Sequence, residues 1–258
     1  MLGSLDRAKD LLWISLVSRV FYAFSRHDKL WRRMCFRRWR GAFRFKRNWR
    51  FTALLPAELE LSDAQYPAPL VVSSFSSVLL YRSWYLGHVD KKHFDIQISH
   101  IDKRSDLSYE EFEEKYLKIG RPVVLKDAAK AWTALSWTPE TVLAKYGNCR
   151  FRLNWGEFDE AAGKYKRIYM TLNDFWSYAK QQHDAEPGYV FDGAFFKKDR
   201  VPGMVDEFDR TKYFREDFFS VLGAEERPDY RWFLMGPAGS GSPWHTDPHA
   251  TSAWNGLL

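Results

Sequence analysis

The stretch that most constrains what this chain can fold into is its last, residues 230–258, YRWFLMGPAGSGSPWHTDPHATSAWNGLL. Residues 230–235 form an apolar and aromatic run whose length and content predict a buried strand. Residues 236–243, rich in Gly, Ser and Pro, predict a loop. His245-Thr246-Asp247 comes next. In an extended backbone, residues two apart project from one face, so one imidazole and one carboxylate converge on a single point. A strand, a flexible loop and then two converging donors suit a backbone built to grip a cation.

That pair, joined by a second imidazole, is the ligand set of non-heme Fe(II) oxygenases, which leaves three metal positions open for co-substrate and dioxygen. Residues 235–255 read MGPxxSGxxxHxDPxxTSAWN. This wording resembles the start of the Jumonji-C (JmjC) domain, nearest its lysyl hydroxylase and arginine demethylase branch. The resemblance implies that His245 and Asp247 are the first two iron ligands. It also implies that Asn255 stands beside the pocket for the metal and 2-oxoglutarate. Ser242 is placed where the family usually has Thr, a hydroxyl that bonds a carboxylate of the co-substrate. Tyr189, in GYVFD, matches a Tyr that reaches the same carboxylate. Trp244 falls on a variable position.

The same resemblance carries a departure. The family's co-substrate Lys and its distal iron-binding His would lie beyond residue 258. The expectation is therefore a JmjC sequence cut short at its carboxyl end, holding half a metal site and showing no 2-oxoglutarate turnover by itself. The histidines are His27, His88, His93, His100, His183, His245 and His249. Only His249 is close enough to add a donor on the same strand face. Pro248 intervenes, and the family does not use that position, so a loop role is the other reading.

With 45% hydrophobic and 17% aromatic residues in 258, the chain can bury a sizeable core, in one or two domains. Two cysteines, Cys35 and Cys149, make no disulfide framework and point to a reducing compartment. No segment reaches the roughly 18 consecutive apolar residues of a membrane span; residues 11–17 and the Ser-rich 69–81 come nearest. Asp6 and Asp10 among the early basic residues argue against a secretory signal. A soluble, intracellular protein without membrane contact is expected, placed in the nucleus, with the cytoplasm as the alternative.

The net charge of +6 is uneven. Residues 26–50 hold eleven Lys/Arg against one acid, Asp28, a local net of +10 that leaves −4 for the rest. Within residues 31–51 the basic side chains alternate with Trp and Phe. Such a pattern can neutralise phosphates and stack on unpaired bases, which makes RNA a possible partner of residues 26–50. The other reading is that the basic stems cover apolar surface while the aromatic rings anchor the segment to a domain.

Residues 8–24 place Leu11, Ile14, Val17, Phe21 and Phe24 on one helical stripe, and a second helix is expected over 29–36. DLLxxSLVSRxFYxF…LWRRMC in this stretch resembles the later part of an F-box, the helical adaptor that docks Skp1 in ubiquitin ligases. The Leu-Pro helix that opens an F-box is absent from these residues. Residues 56–69 read as a linker, 76–86 as a helix and 96–101 as a strand. Ser108 and Glu111 form a capping-box pattern opening a helix over 109–118, which Gly120 and Pro122 end. A β-branched strand over 122–126 follows, then a helix from Thr138-Pro139 through Leu143, stopped at Gly147. An exposed strand is expected over 150–154, a helix capped by Thr171, a short strand over 189–191 and an aromatic helix over 214–222.

The fold class expected is α+β: N-terminal helices, then the first part of a cupin-like double-stranded β-helix (jelly roll), incomplete at the carboxyl end. The segments are an F-box-like helical region with its basic arm (1–50), a linker and helix (51–105), and the N-terminal part of a JmjC domain (106–258). The resemblance implies an Fe(II)- and 2-oxoglutarate-dependent oxygenase acting on Lys or methylated side chains of another protein. Hydroxylation and demethylation both remain open. The alternative is an F-box-type adaptor, or a non-catalytic binding module, that recruits a Skp1-like partner.

Overall fold

The expected single helix over residues 8–24 is two helices, α1 (Ala8–Ile14) and α2 (Arg19–Ser25). Serines break it. Ser15 Oγ donates back to the Leu12 carbonyl at 2.6 Å, and Ser18 Oγ accepts the Phe21 N–H at 3.2 Å as a new N-cap. Serine hydroxyls offer the backbone these local alternatives to a continuing helix. The computed structural model describes residues 8–68, 76, 78–90, 101–159, 164–243, 245–247 and 256.

The helix expected over 29–36 is longer, α3 (Asp28–Trp39), and α4 (Trp49–Leu54) and α5 (Val78–Gly87) follow. The strand expected over 96–101 lies outside the described residues except for Ile101; β1 (Asp102–Arg104) comes directly after it. Then come α6 (Tyr109–Phe112), continued by a wider π-type turn over Glu113–Leu117, β2 (Val123–Leu125) and α7 (Pro139–Tyr146). Ser108 caps α6 by accepting the Glu111 N–H, but the Glu111 carboxylate turns instead to Arg104 and Lys115, each at 2.8 Å. Only half of the capping box forms. The chain continues through β3 (Arg150–Asp159), β4 (Lys164–Thr171), α8 (Leu172–Gln181), β5 (Val190–Asp192), α9 (Gly223–Glu226) and β6 (Phe233–Met235).

The helix expected over 214–222 does not form. A tight 3-10 turn, Phe218–Leu222, stands there, with Phe218 80% and Val221 84% exposed. A short helix needs a buried face to repay its nucleation, and this one has none among the described residues.

The chain divides into two compact units. The first comprises residues 1–89, 147–195 and 232–243, and holds an antiparallel sheet in the order β4-β3-β5-β6. β3, expected as an exposed strand, runs between β4 and β5, with Phe151 and Leu153 buried. β6, expected as buried, is the last strand of the sheet among the described residues, with Leu234 half exposed.

The helices of residues 8–54 share the first unit's core. Trp31, Phe36, Phe43, Phe45, Trp49 and Phe51 are all buried, so these rings anchor the basic segment and do not offer their faces to bases. Trp49 meets Phe45, Trp155 and Tyr178 at centroid distances of 5.0–5.5 Å. Beneath them lies Asp184, 6% exposed. It accepts the Trp49 indole N–H at 2.9 Å and the Tyr178 hydroxyl at 2.8 Å, with the Arg32 guanidinium 3.6 Å away. Gly41 lets the segment reach the sheet. At φ +89°, any Cβ there would stand 2.1 Å from the Tyr169 carbonyl oxygen.

The second unit comprises residues 90–146, 196–231 and 244–258. β1 and β2 pair in parallel, Lys103 opposite Val124. Leu107, Phe112, Tyr116 and Tyr213 form its core, and the Tyr213 hydroxyl donates to the Leu107 carbonyl at 2.8 Å. Glu207 ties α7 down, accepting the Trp137 indole N–H at 2.8 Å, Lys145 at 3.1 Å and the Tyr146 hydroxyl.

Candidate functional site

β6 leaves the sheet at Gly236, where a Cβ would meet Tyr189 Cβ at 2.6 Å and Ser240 Oγ at 2.2 Å. Glycine alone fits so close to the neighbouring strand. Ser240 closes the loop, its N–H and Oγ both donating to the Pro237 carbonyl, at 3.1 and 2.7 Å. The loop expected over 236–243 thus has a defined turn at its start.

His245-Thr246-Asp247 belongs to no strand, yet its two donors converge. His245 Nε2 and Asp247 Oδ1 are 3.3 Å apart, and the side chains are 52% and 49% exposed. Two donors at about 2.1 Å from one ion, at right angles, stand about 3.0 Å apart. The observed separation therefore fits two adjacent ligand positions after a small turn of either side chain. Half exposure also keeps the cost of drawing this carboxylate away from water modest. Among the described residues no group of three His, Cys, Asp or Glu is arranged for a metal. The pair is a two-point grip. His249 and Trp244 lie outside the described residues.

Tyr189 is buried, at 7% exposure, one residue before β5. Asn154 clasps it from β3: the Tyr189 N–H donates to Asn154 Oδ1, and the Asn154 N–H donates to the Tyr189 carbonyl, both at 2.9 Å. Burial pushes the phenol pKa up, so this hydroxyl stays protonated at neutral pH. Ser242 is exposed in the loop after β6. Tyr189 and Ser242 belong to the first unit, His245 and Asp247 to the second. Asn255 lies outside the described residues.

Two residues that sequence reasoning passed over shape the neighbourhood of Tyr189. Asn154 is one. Asp192, fully buried, is the other: it accepts the Arg152 N–H and the Ala194 N–H, each at 2.8 Å, and so turns the chain out of β5. A buried Asp closing a strand leaves a faint sequence signal, since Asp-Gly at 192–193 also reads as an ordinary turn.

No family model matches the chain. It is 32% identical over 251 residues to the lysine-specific demethylase JMJ21 of Arabidopsis thaliana, covering 97% of this chain and 26% of that protein. It is 33% identical over 249 residues to the arginine-specific demethylase JMJ22 of the same plant, covering 95% and 46%. The bifunctional arginine demethylase and lysyl-hydroxylase psr-1 of Caenorhabditis elegans is 33% identical over 155 residues, 60% of this chain and 37% of that protein. These relatives are JmjC-domain demethylases and hydroxylases. The similarity supports a place in the JmjC family, whose cupin-like architecture agrees with the antiparallel sheet of the first unit. The two plant alignments span nearly the whole chain, N-terminal helices included. The chain spans between a quarter and a half of the length of those two JmjC relatives.

Proposed function

We propose that this chain contributes to a JmjC-type protein hydroxylase or demethylase that uses Fe(II) and 2-oxoglutarate and acts on Lys or methylated side chains of another protein. The observation that carries the reading is the 3.3 Å approach of His245 Nε2 to Asp247 Oδ1. It is supported by the similarity to demethylases of both lysine and arginine specificity. His245 and Asp247 are the residues that would hold the metal. Bound there with 2-oxoglutarate, Fe(II) supplies the dioxygen-dependent oxidation of a substrate C–H bond. His245 would donate through Nε2, and Asp247 would contribute a carboxylate that lowers the cost of holding a dication. Tyr189, kept protonated by burial, and Ser242 are hydroxyl donors suited to a co-substrate carboxylate, and the resemblance adds Asn255 as a further polar residue for the co-substrate.

Two protein donors hold a divalent ion weakly. The 258-residue chain by itself is expected to bind Mn(II), as a stand-in for Fe(II), with low affinity and to show no turnover of 2-oxoglutarate. Water-proton relaxation on titration with Mn(II) tests the assignment: His245→Ala and Asp247→Ala should each remove the binding seen in the parent chain. Unchanged Mn(II) binding in both variants would refute it.

A further inference from the structure

The ladder between β3 and β4 is interrupted. Arg152 stands opposite Tyr169 and Gly156 opposite Arg167, so residues 153–155 of β3 face Ile168 alone. Such a bulge bends its strand and re-aims side chains, and bulges recur beside binding sites. Here it accompanies an open cleft of about 430 Å³. Arg152, Asn154, Trp155, Lys166, Arg167 and Phe191 line it, and no carboxylate is among its described lining residues. Cationic side chains lining a concave surface, Arg152 and Arg167 among them, raise the local concentration of anions.

Arg152 is held in place. Its Nε–H donates to the Phe191 carbonyl at 2.8 Å, and its own backbone N–H donates to the buried Asp192. Its guanidinium lies 5.6 Å from the Phe191 ring centre and 5.2 Å from that of Trp232, and those two rings stack 4.4 Å apart. A guanidinium fixed through Nε and against aromatic rings keeps the remaining donors of its planar fork for a partner with two coplanar oxygens. A lysine could not present that geometry.

We infer that this cleft binds a carboxylate, gripped at two points by Arg152, with Lys166 and Arg167 supplying attraction from the rim. Asn154 adds a polar wall, and Trp155 with Phe191 suits a short hydrocarbon stem. The carboxylate belongs either to a small dicarboxylic acid or to an acidic side chain of a polypeptide. The cleft contains neither His245 nor Asp247, so its occupancy is readable without metal, and an empty cleft would leave the proposed metal donors unaffected.

The test is an NMR titration of the 258-residue chain in EDTA at low salt, with glutarate and, separately, with a Glu-rich peptide. At least one should bind saturably and shift the resonances of residues 152–156. Arg152→Gln should weaken binding about tenfold or more, as expected for loss of a charge-assisted bidentate contact. Arg167→Gln should weaken it less and flatten its dependence on salt. Glutarate binding identifies a small-molecule ligand; binding of the peptide alone identifies a polypeptide. The inference is overturned if neither binds below about 10 mM, an affinity too weak to be specific. It is equally overturned if inorganic phosphate binds in place of both, or if folded Arg152→Gln keeps the parent affinity. Should Arg152→Gln fail to fold, the Lys166→Gln/Arg167→Gln variant must lose affinity severalfold for the inference to stand.

Discussion

Asp184 and Asp247 each face an aromatic nitrogen: the Trp49 indole at 2.9 Å in the first unit, the His245 imidazole at 3.3 Å in the second. Asp184 is almost out of solvent, and indole, phenol and guanidinium all approach it. Each of those donors is fixed by aromatic packing, so the carboxylate locks the N-terminal helices to the 183–188 segment. Asp247 is half in water, and its partner is a ring nitrogen able to hold a metal instead. The same functional group is thus structural where its donors are buried and immovable, and available where they are not. Burial decides between the two roles, because an ion sealed from water cannot give up one partner without leaving an uncompensated charge.

The contrast is broken most directly at Trp49. Trp49→Ala removes packing against Phe45, Trp155 and Tyr178 and takes the indole donor from Asp184. A loss of about 3–5 kcal/mol in urea unfolding is expected. A loss below about 1 kcal/mol would show that the buried cluster does not hold the helices.

The next effect has the opposite sign. Asp28, at the start of α3, has its pKa pushed up to about 6, first by burial and then by the charge of Asp184, with Arg32 opposing. Because the folded pKa exceeds the unfolded one, the fold is favoured in acid. As pH rises from about 4, the unfolded chain releases this proton first, and stability falls until the pH passes about 6. Asp28→Asn should remove the penalty and stabilise the chain at pH 7.5 by about 2–3 kcal/mol. Its unfolding midpoint should also vary less than the parent's between pH 4 and pH 7. Equal stability of parent and variant at both pH values would count against a crowded pair of carboxylates.

The smallest effect belongs to the second unit's pair. His245→Ala should change stability by no more than about 0.5 kcal/mol, as exposed contacts generally do. A thermal-shift loss equivalent to more than about 2 kcal/mol would place the pair among the structural contacts and end the contrast.

Much of the architecture was readable from local chemistry. Ser108, Thr171 and the Thr138-Pro139 start all mark helix beginnings where helices begin, and Gly120 ends its helix at φ +67°. The strands at 123–125, 190–192 and 233–235 fall on apolar or aromatic runs. His245 and Asp247 approach to 3.3 Å, but outside any strand, so the extended backbone from which their convergence was expected is not what brings them together. β4 was missed, because KYKRIYMT shows its alternation only weakly, at Ile168 and Met170, which are buried. The helix expected over 214–222 failed for the converse reason: beyond Phe214, which packs on the second unit's core, the apolar residues from Phe218 to Leu222 bury none of their number.

What the residues determined by themselves is the set of short-range events: caps, turns, the strand runs and a pair of donors two positions apart. Those depend on contacts within a few residues and are written in the order of the side chains. Only the tertiary structure decided that the aromatic rings of the basic segment lie inside, that Asp184 collects its donors from positions as distant as Trp49, and that a bulge gathers Arg152, Lys166 and Arg167 around one cleft. Each of these joins residues far apart in the chain, and burial, which sets the strength of every charge in them, is a property of the packed whole.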